Sequence, residues 1–175
     1  MDSQEFSKIY DTYVEKIYRF VYLRVNSKEE AQDITSQVFL NFLSKSQKNT
    51  KLNSQDILSL QAFLYRIAKN LLIDNYRLKG RSVLSLDENG ADEIIDTEPL
   101  VDKNTSKEED AVILQKKLNK LKSPYFEVVV WHYLEDLEIE TIAKILNKTP
   151  GNVRVILHRG LNQLKKEVED QSHLS

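Results

Sequence analysis

Apolar residues return every third or fourth position along most of this chain, and that periodicity restricts its fold to packed helices. Phe6, Ile9, Tyr10, Tyr13, Ile17, Phe20 and Val21 make one stripe. Ile34, Val38 and Phe42 make a second, and Leu60, Leu64, Ile67 and Leu71 a third. The two-residue alternation of strands is hard to find anywhere. Helix starts are marked as well. Ser27-Lys28-Glu29-Glu30 and Ser106-Lys107-Glu108-Glu109 place a hydroxyl three residues ahead of a glutamate, so each can satisfy a backbone N–H near the other. Ser123-Pro124 and Thr149-Pro150 set a capping hydroxyl before a proline, whose fixed φ suits the first helical position. The expected fold class is all-α.

The pattern lapses between about residues 82 and 107. That stretch holds Gly90 and Pro99 and little periodicity, and residues 81–110 carry 10 acidic side chains against 3 basic ones. Such a composition cannot bury much apolar surface and reads as a flexible linker. Charge divides along the same line. Residues 1–80 have 12 Lys and Arg against 9 Asp and Glu, and residues 111–175 have 10 against 8. The chain's net charge of −2 thus conceals two weakly basic modules joined by an acidic strip. Three regions follow: 1–81, a linker 82–107, and 108–175.

With no cysteine among 175 residues, disulfide frameworks, thiolate metal sites and cysteine nucleophiles are excluded together. No apolar run reaches membrane-spanning length, and the acidic start Met1-Asp2-Ser3-Gln4-Glu5 is unlike a secretory signal. The expectation is a cytoplasmic protein without membrane insertion. His132, Asp136 and Glu140 are spaced by fours and could suggest a metal site, but a turn at Glu135-Asp136 should separate them. With no nucleophile–base pair or glycine-rich phosphate loop either, neither an enzyme nor a cofactor is expected.

The clearest local signal runs from Leu137 to Arg154. Asp136 is placed to cap a first helix, Ala143 permits close approach by a second, and Asn147 tolerates the left-handed turn that ends the first. Thr149 and Pro150 restart the chain, and Val153, Leu157 and Leu164 give the next helix a buried side. This is a helix-turn-helix pattern, whose second helix fits a DNA major groove. Asn152, Arg154, His158 and Arg159 lie in that helix. The arginines suit guanine or phosphate, and Asn152 at the helix start suits phosphate.

Two further stretches narrow the reading: Glu30-Ala31-Gln32-Asp33-Ile34-Thr35-Ser36-Gln37-Val38-Phe39-Leu40 and the run from Ala62 to Arg77. With the helix-turn-helix, they resemble the extracytoplasmic-function (ECF) sigma factors, the smallest class of the sigma-70 family. The resemblance covers about residues 4–81 and 108–168. It implies a three- to four-helix region 2 bundle, a helix-turn-helix region 4 and a linker between them. It further implies that Asp33, Gln37 and Phe39 dock on bacterial core RNA polymerase. Arg66, Lys69, Asn70, Tyr76, Arg77 and Arg81 would open and hold the −10 element of promoter DNA, where cations meet phosphates and polar or aromatic groups meet unpaired bases. Asn152, Arg154, His158 and Arg159 would read the −35 element as duplex. An anti-sigma factor is the implied regulatory partner.

This sequence departs from the family's pattern in several places. Gln32 and Gln37 stand where acids are usual, and Ser36 where glutamine is usual. Loop 45–58 has three lysines and no aromatic, so the pocket for a flipped base cannot be named. Val155, Ile156 and Leu161 replace commonly polar or basic residues in the recognition helix. The competing reading is a stand-alone helix-turn-helix regulator, which would have no need of the docking or melting helices.

Overall fold

The computed structural model describes residues 1–25, 27–48, 57–79 and 106–172. It is all-α, with no strand among the described residues. The first module is built from α1 (Ser3–Tyr22), α2 (Lys28–Lys48) and α3 (Ile57–Leu78). The second holds α4 (Ser106–Asn119), α5 (Tyr125–Val129), a π-helical turn (Val130–Leu134), α6 (Ile139–Leu146) and α7 (Pro150–Ser172). Arg81, most of loop 45–58 and nearly all of the 82–107 stretch lie outside the described residues.

The apolar stripes become the core. Ile9, Tyr13, Ile17, Phe20 and Val21 of α1 are buried against Ala31, Ile34, Val38, Phe39 and Phe42 of α2 and Leu64, Ile67, Ala68 and Leu72 of α3. Tyr10 of the first stripe is exposed but packs edge-on against Phe39, 4.8 Å between ring centres.

Two caps form where expected. Ser27 Oγ accepts from Glu30 N at 3.1 Å, and Thr149 Oγ1 accepts from Asn152 N at 3.2 Å. Glu30 does not close the capping box with its own side chain; its carboxylate accepts from Asn75 at 2.6 Å and pairs with Lys79, joining α2 to the end of α3. Ser106 already lies within α4, and Ser123-Pro124 falls one position early, since Pro124 is itself the cap residue of α5. Ser123 Oγ instead donates to buried Glu127 at 2.6 Å.

Asp136 does not cap α6; Glu138 occupies that position without a side-chain bond, and Asp136 takes a left-handed φ of 53°. The reason is the π-helical turn just before it, where Glu135 N–H reaches back five residues to Val130 O at 3.1 Å. The wide turn followed by a left-handed aspartate reverses the chain and leaves Glu135 buried. Asn147 is left-handed as expected, at φ 53°, and Ala143 O accepts the N–H groups of Asn147 and Lys148 to close α6. Gly160 lets α7 cross α5 closely, because a Cβ there would sit 3.1 Å from Val129 Cγ2 and 3.2 Å from Tyr125 Cβ.

The two modules share one hydrophobic core. Phe20 and Tyr65 of the first module meet Trp131 and Phe126 of the second, with ring centres 5.4 to 6.4 Å apart. The buried Arg24 guanidinium lies 3.4 Å from the centre of the Phe126 ring. Burial pushes that guanidinium below its ordinary pKa, and the charge of Glu127 opposes the shift.

Candidate nucleic-acid interface

Helix α2 buries Ala31, Ile34, Thr35, Val38, Phe39 and Phe42, which turns Asp33, Ser36, Gln37 and Leu40 outward. Asp33, Gln37 and Leu40 are one helical turn apart in succession, so one flat partner can meet all three. Leu40, not singled out from sequence, is 59% exposed and adds an apolar group to this face. Gln37 Nε2 donates to Asn41 Oδ1 at 2.8 Å, which fixes the amide's direction. Phe39 is 2% exposed and packs in the bundle; it holds α2 against α1 and presents nothing to a partner here. Beside this face, Tyr10, Val14, Tyr18, Gln32, Thr35 and Ser36 line an open groove of about 500 Å³ between α1 and α2.

Of the six residues expected at the −10 element, Arg81 lies outside the described residues, and the five on α3 separate. Asn70 and Arg77 are exposed and Lys69 is half-buried. Tyr76 is 3% exposed, and its hydroxyl donates to Arg24 O at 2.6 Å, so it braces the loop after α1. Arg66 is held by the other module. Its Nε donates to Ile145 O at 3.3 Å and its Nη2 to Lys144 O, both carbonyls of the last turn of α6. A cation on those carbonyls satisfies groups that the helix leaves open and complements its negative end. The side chain expected on DNA phosphate therefore closes the two modules together in this structure.

A second contact reinforces that closure. Glu135 accepts a forked pair of bonds from Arg19, at 2.7 and 2.8 Å, and another from Tyr65 Oη at 3.2 Å. The bond to Glu135 raises the Arg19 pKa, and burial, then the Glu135 charge, push the Tyr65 phenol well above its ordinary value. No pattern in the sequence marked Glu135, because a carboxylate in a turn ordinarily belongs to solvent.

The recognition helix differs. Asn152, Arg154, His158 and Arg159 are all exposed, while Val153 and Gly160 face the core. Asn162 Nδ2 lies 3.3 Å from His158 Nε2. The helix is thus anchored on one side and carries hydrogen-bonding groups on the other, at the width a major groove admits. No helix among the described residues is long and apolar enough to cross a membrane, and none of their acidic and histidine side chains cluster as a metal site.

A helix-turn-helix with an outward polar face, packed against a second helical head with its own cations, has the layout of a two-headed DNA-binding protein of all-α class. The family models make this specific: sigma-70 region 2 matches residues 9–82, and sigma-70 region 4 matches residues 111–164. The chain is 31% identical to the ECF RNA polymerase sigma factor SigW of Bacillus subtilis, across 97% of this chain and 91% of that protein. It belongs to the ECF sigma factors of the sigma-70 family. Two solved structures share the fold. One is CnrH in complex with the cytosolic domain of CnrY, with a TM-score of 0.71 at 14% identity, covering 97% of this chain and 90% of that one. The other is RpoE of Bartonella quintana with the anti-sigma factor NepR, with a TM-score of 0.66 at 17% identity, covering 95% and 98%.

Proposed function

We propose that this ECF sigma factor binds bacterial core RNA polymerase in the cytoplasm and directs it to promoters, without a cofactor and without chemistry of its own. Residues 1–81 dock and read the −10 element, 82–107 link, and 108–175 read the −35 element. Asp33, Gln37 and Leu40 form the polymerase contact, with Phe39 supporting it from inside the bundle. Arg66, Lys69, Asn70, Arg77 and Arg81 serve the melted strand. Tyr76 joins them only if its bond to Arg24 O is broken. Asn152, Arg154, His158 and Arg159 serve the duplex. The modest positive charge of each head fits this division, since the polymerase supplies most of the nonspecific DNA attraction. One observation carries the reading: regions 2 and 4 occur in order on one chain, and a stand-alone regulator has no use for the first.

An anti-sigma factor is the expected regulator, since the structural relative RpoE was crystallised with one. A pull-down of core polymerase tests the docking claim. Wild-type protein should bind, and Asp33→Ala/Gln37→Ala should weaken binding by about tenfold or more, as for loss of one interfacial hot spot. Duplex DNA binding without any affinity for core polymerase would replace this reading with the stand-alone regulator.

A further inference from the structure

Val155 stands in the middle of the recognition helix's outer face and is 46% exposed. Its neighbours one turn away are Asn152, His158 and Arg159, all exposed, with Arg154 adjacent. A β-branched residue is a poor choice for an exposed helical position, so helix propensity does not account for it. A single apolar side chain ringed by hydrogen-bonding and cationic ones is also unlike a protein-docking patch, which would be contiguous.

Direction supplies the rest. A helical side chain leans toward the N-terminus and covers the turn before its own Cα. For Val155 that turn holds Gly151, exposed and without a side chain; a Cβ there would meet nothing nearer than Thr149 Oγ1 at 4.0 Å. The space over Gly151, on the N-terminal side of Val155, is therefore open at the end of the helix that enters a major groove first. Within that groove the one apolar group a base presents is the C5-methyl of thymine.

We propose that Val155 is a specificity-determining residue of the −35 reader and packs on the C5-methyl of a thymine. This rests on the promoter-reading function above and adds one base class to it. Replacing the methyl by hydrogen removes about one buried methyl group from the interface, a loss of about fourfold in affinity.

The test uses holoenzyme assembled from the full chain and core polymerase, with an upstream element selected from random duplex DNA. Each thymine of that element is then replaced singly by deoxyuridine, which lacks the methyl and keeps the pairing. One such position should weaken wild-type binding about fourfold. Val155→Ala, an exposed change that favours helix, should weaken binding to thymine DNA by a similar factor and respond no further to deoxyuridine at that position. The proposal is overturned if no thymine methyl matters, or if Val155→Ala keeps the full methyl effect. Holoenzyme with no upstream sequence preference at all would overturn the promoter-reading function itself, a result readily told apart from the other two.

Discussion

Helix α7 and helix α3 each carry residues that we propose contact DNA, and the fold treats the two sets differently. On α7 Asn152, Arg154, His158 and Arg159 are exposed together. On α3 Tyr76 is buried and Arg66 is tied to the end of α6, which leaves Asn70 and Arg77 outward. The proposed duplex reader is thus presented ready-made, whereas the proposed reader of the melted strand contributes one of its cations, Arg66, to closing the molecule. The difference suits the two substrates. Duplex DNA exists before the polymerase acts, but an unpaired strand exists only after it, so a covered second reader costs nothing in the free protein. On that proposal closure also sets an order: the modules must open before Arg66 could reach phosphate.

The strongest way to break this asymmetry is Phe20→Ala. Phe20 is buried where both modules meet, and its removal should cost about 3–5 kcal/mol. Denaturant unfolding should show the loss, and small-angle scattering should show a longer molecule. Unchanged dimensions would mean that the aromatic cluster does not hold the modules together.

Glu135→Ala should act next. It leaves the Tyr65 hydroxyl unpaired in the interface and releases Arg19, for about 1–3 kcal/mol; the exposure of Arg19 keeps the effect toward the lower end. Faster hydrogen exchange in α5 and the π-helical turn would register it.

Arg66→Ala sharpens the comparison because it acts on both sides. Closure should weaken by about 0.5–1.5 kcal/mol, yet promoter opening should decline because a phosphate contact is gone. Permanganate reactivity of thymines in the −10 element would separate this from a change in −35 affinity, which should stay as it was.

The smallest effect is one of pH. Tyr65 has a folded pKa above its ordinary 10.0, so the closed form holds its proton more tightly than the open form does. The stability it contributes is fully present below pH 10.0 and falls as pH rises beyond that value. Tyr65→Phe should remove this share of the alkaline slope, leaving the share of Tyr13, whose phenol is also pushed up by burial, and should weaken closure at neutral pH only by the lost bond to Glu135.

Much of the fold was legible because its signals are local. Ser27 and Thr149 cap the helices that their positions announced, Asn147 makes the left-handed turn, and the stripes on α1 and α2 name the core residues. The recognition helix was legible for the same reason: Val153 inward fixes Arg154, His158 and Arg159 outward. What periodicity does not carry is the identity of the surface a stripe packs against. Phe20 reads as ordinary core of the first module, yet it and Tyr65 complete an interface with Trp131. Glu135 depends on a π-helical turn that no residue pattern signals, and the same turn displaced Asp136 from the capping role. Phe39 and Tyr76 fall within motif helices, but the motif does not say which side of the helix faces inward. Leu40 was missed for the complementary reason: a leucine ordinarily reads as core, and here the stripe beside it takes that place.

Core polymerase should exchange the closed form for the promoter-reading form. Since the chain has no cysteine, Lys8→Cys and Lys166→Cys, both at exposed positions, admit a donor and an acceptor dye without competing labels. Energy transfer between them should be high in the free protein, fall when core polymerase is added, and start lower in Phe20→Ala. Transfer that stays unchanged while core polymerase demonstrably binds would contradict the account.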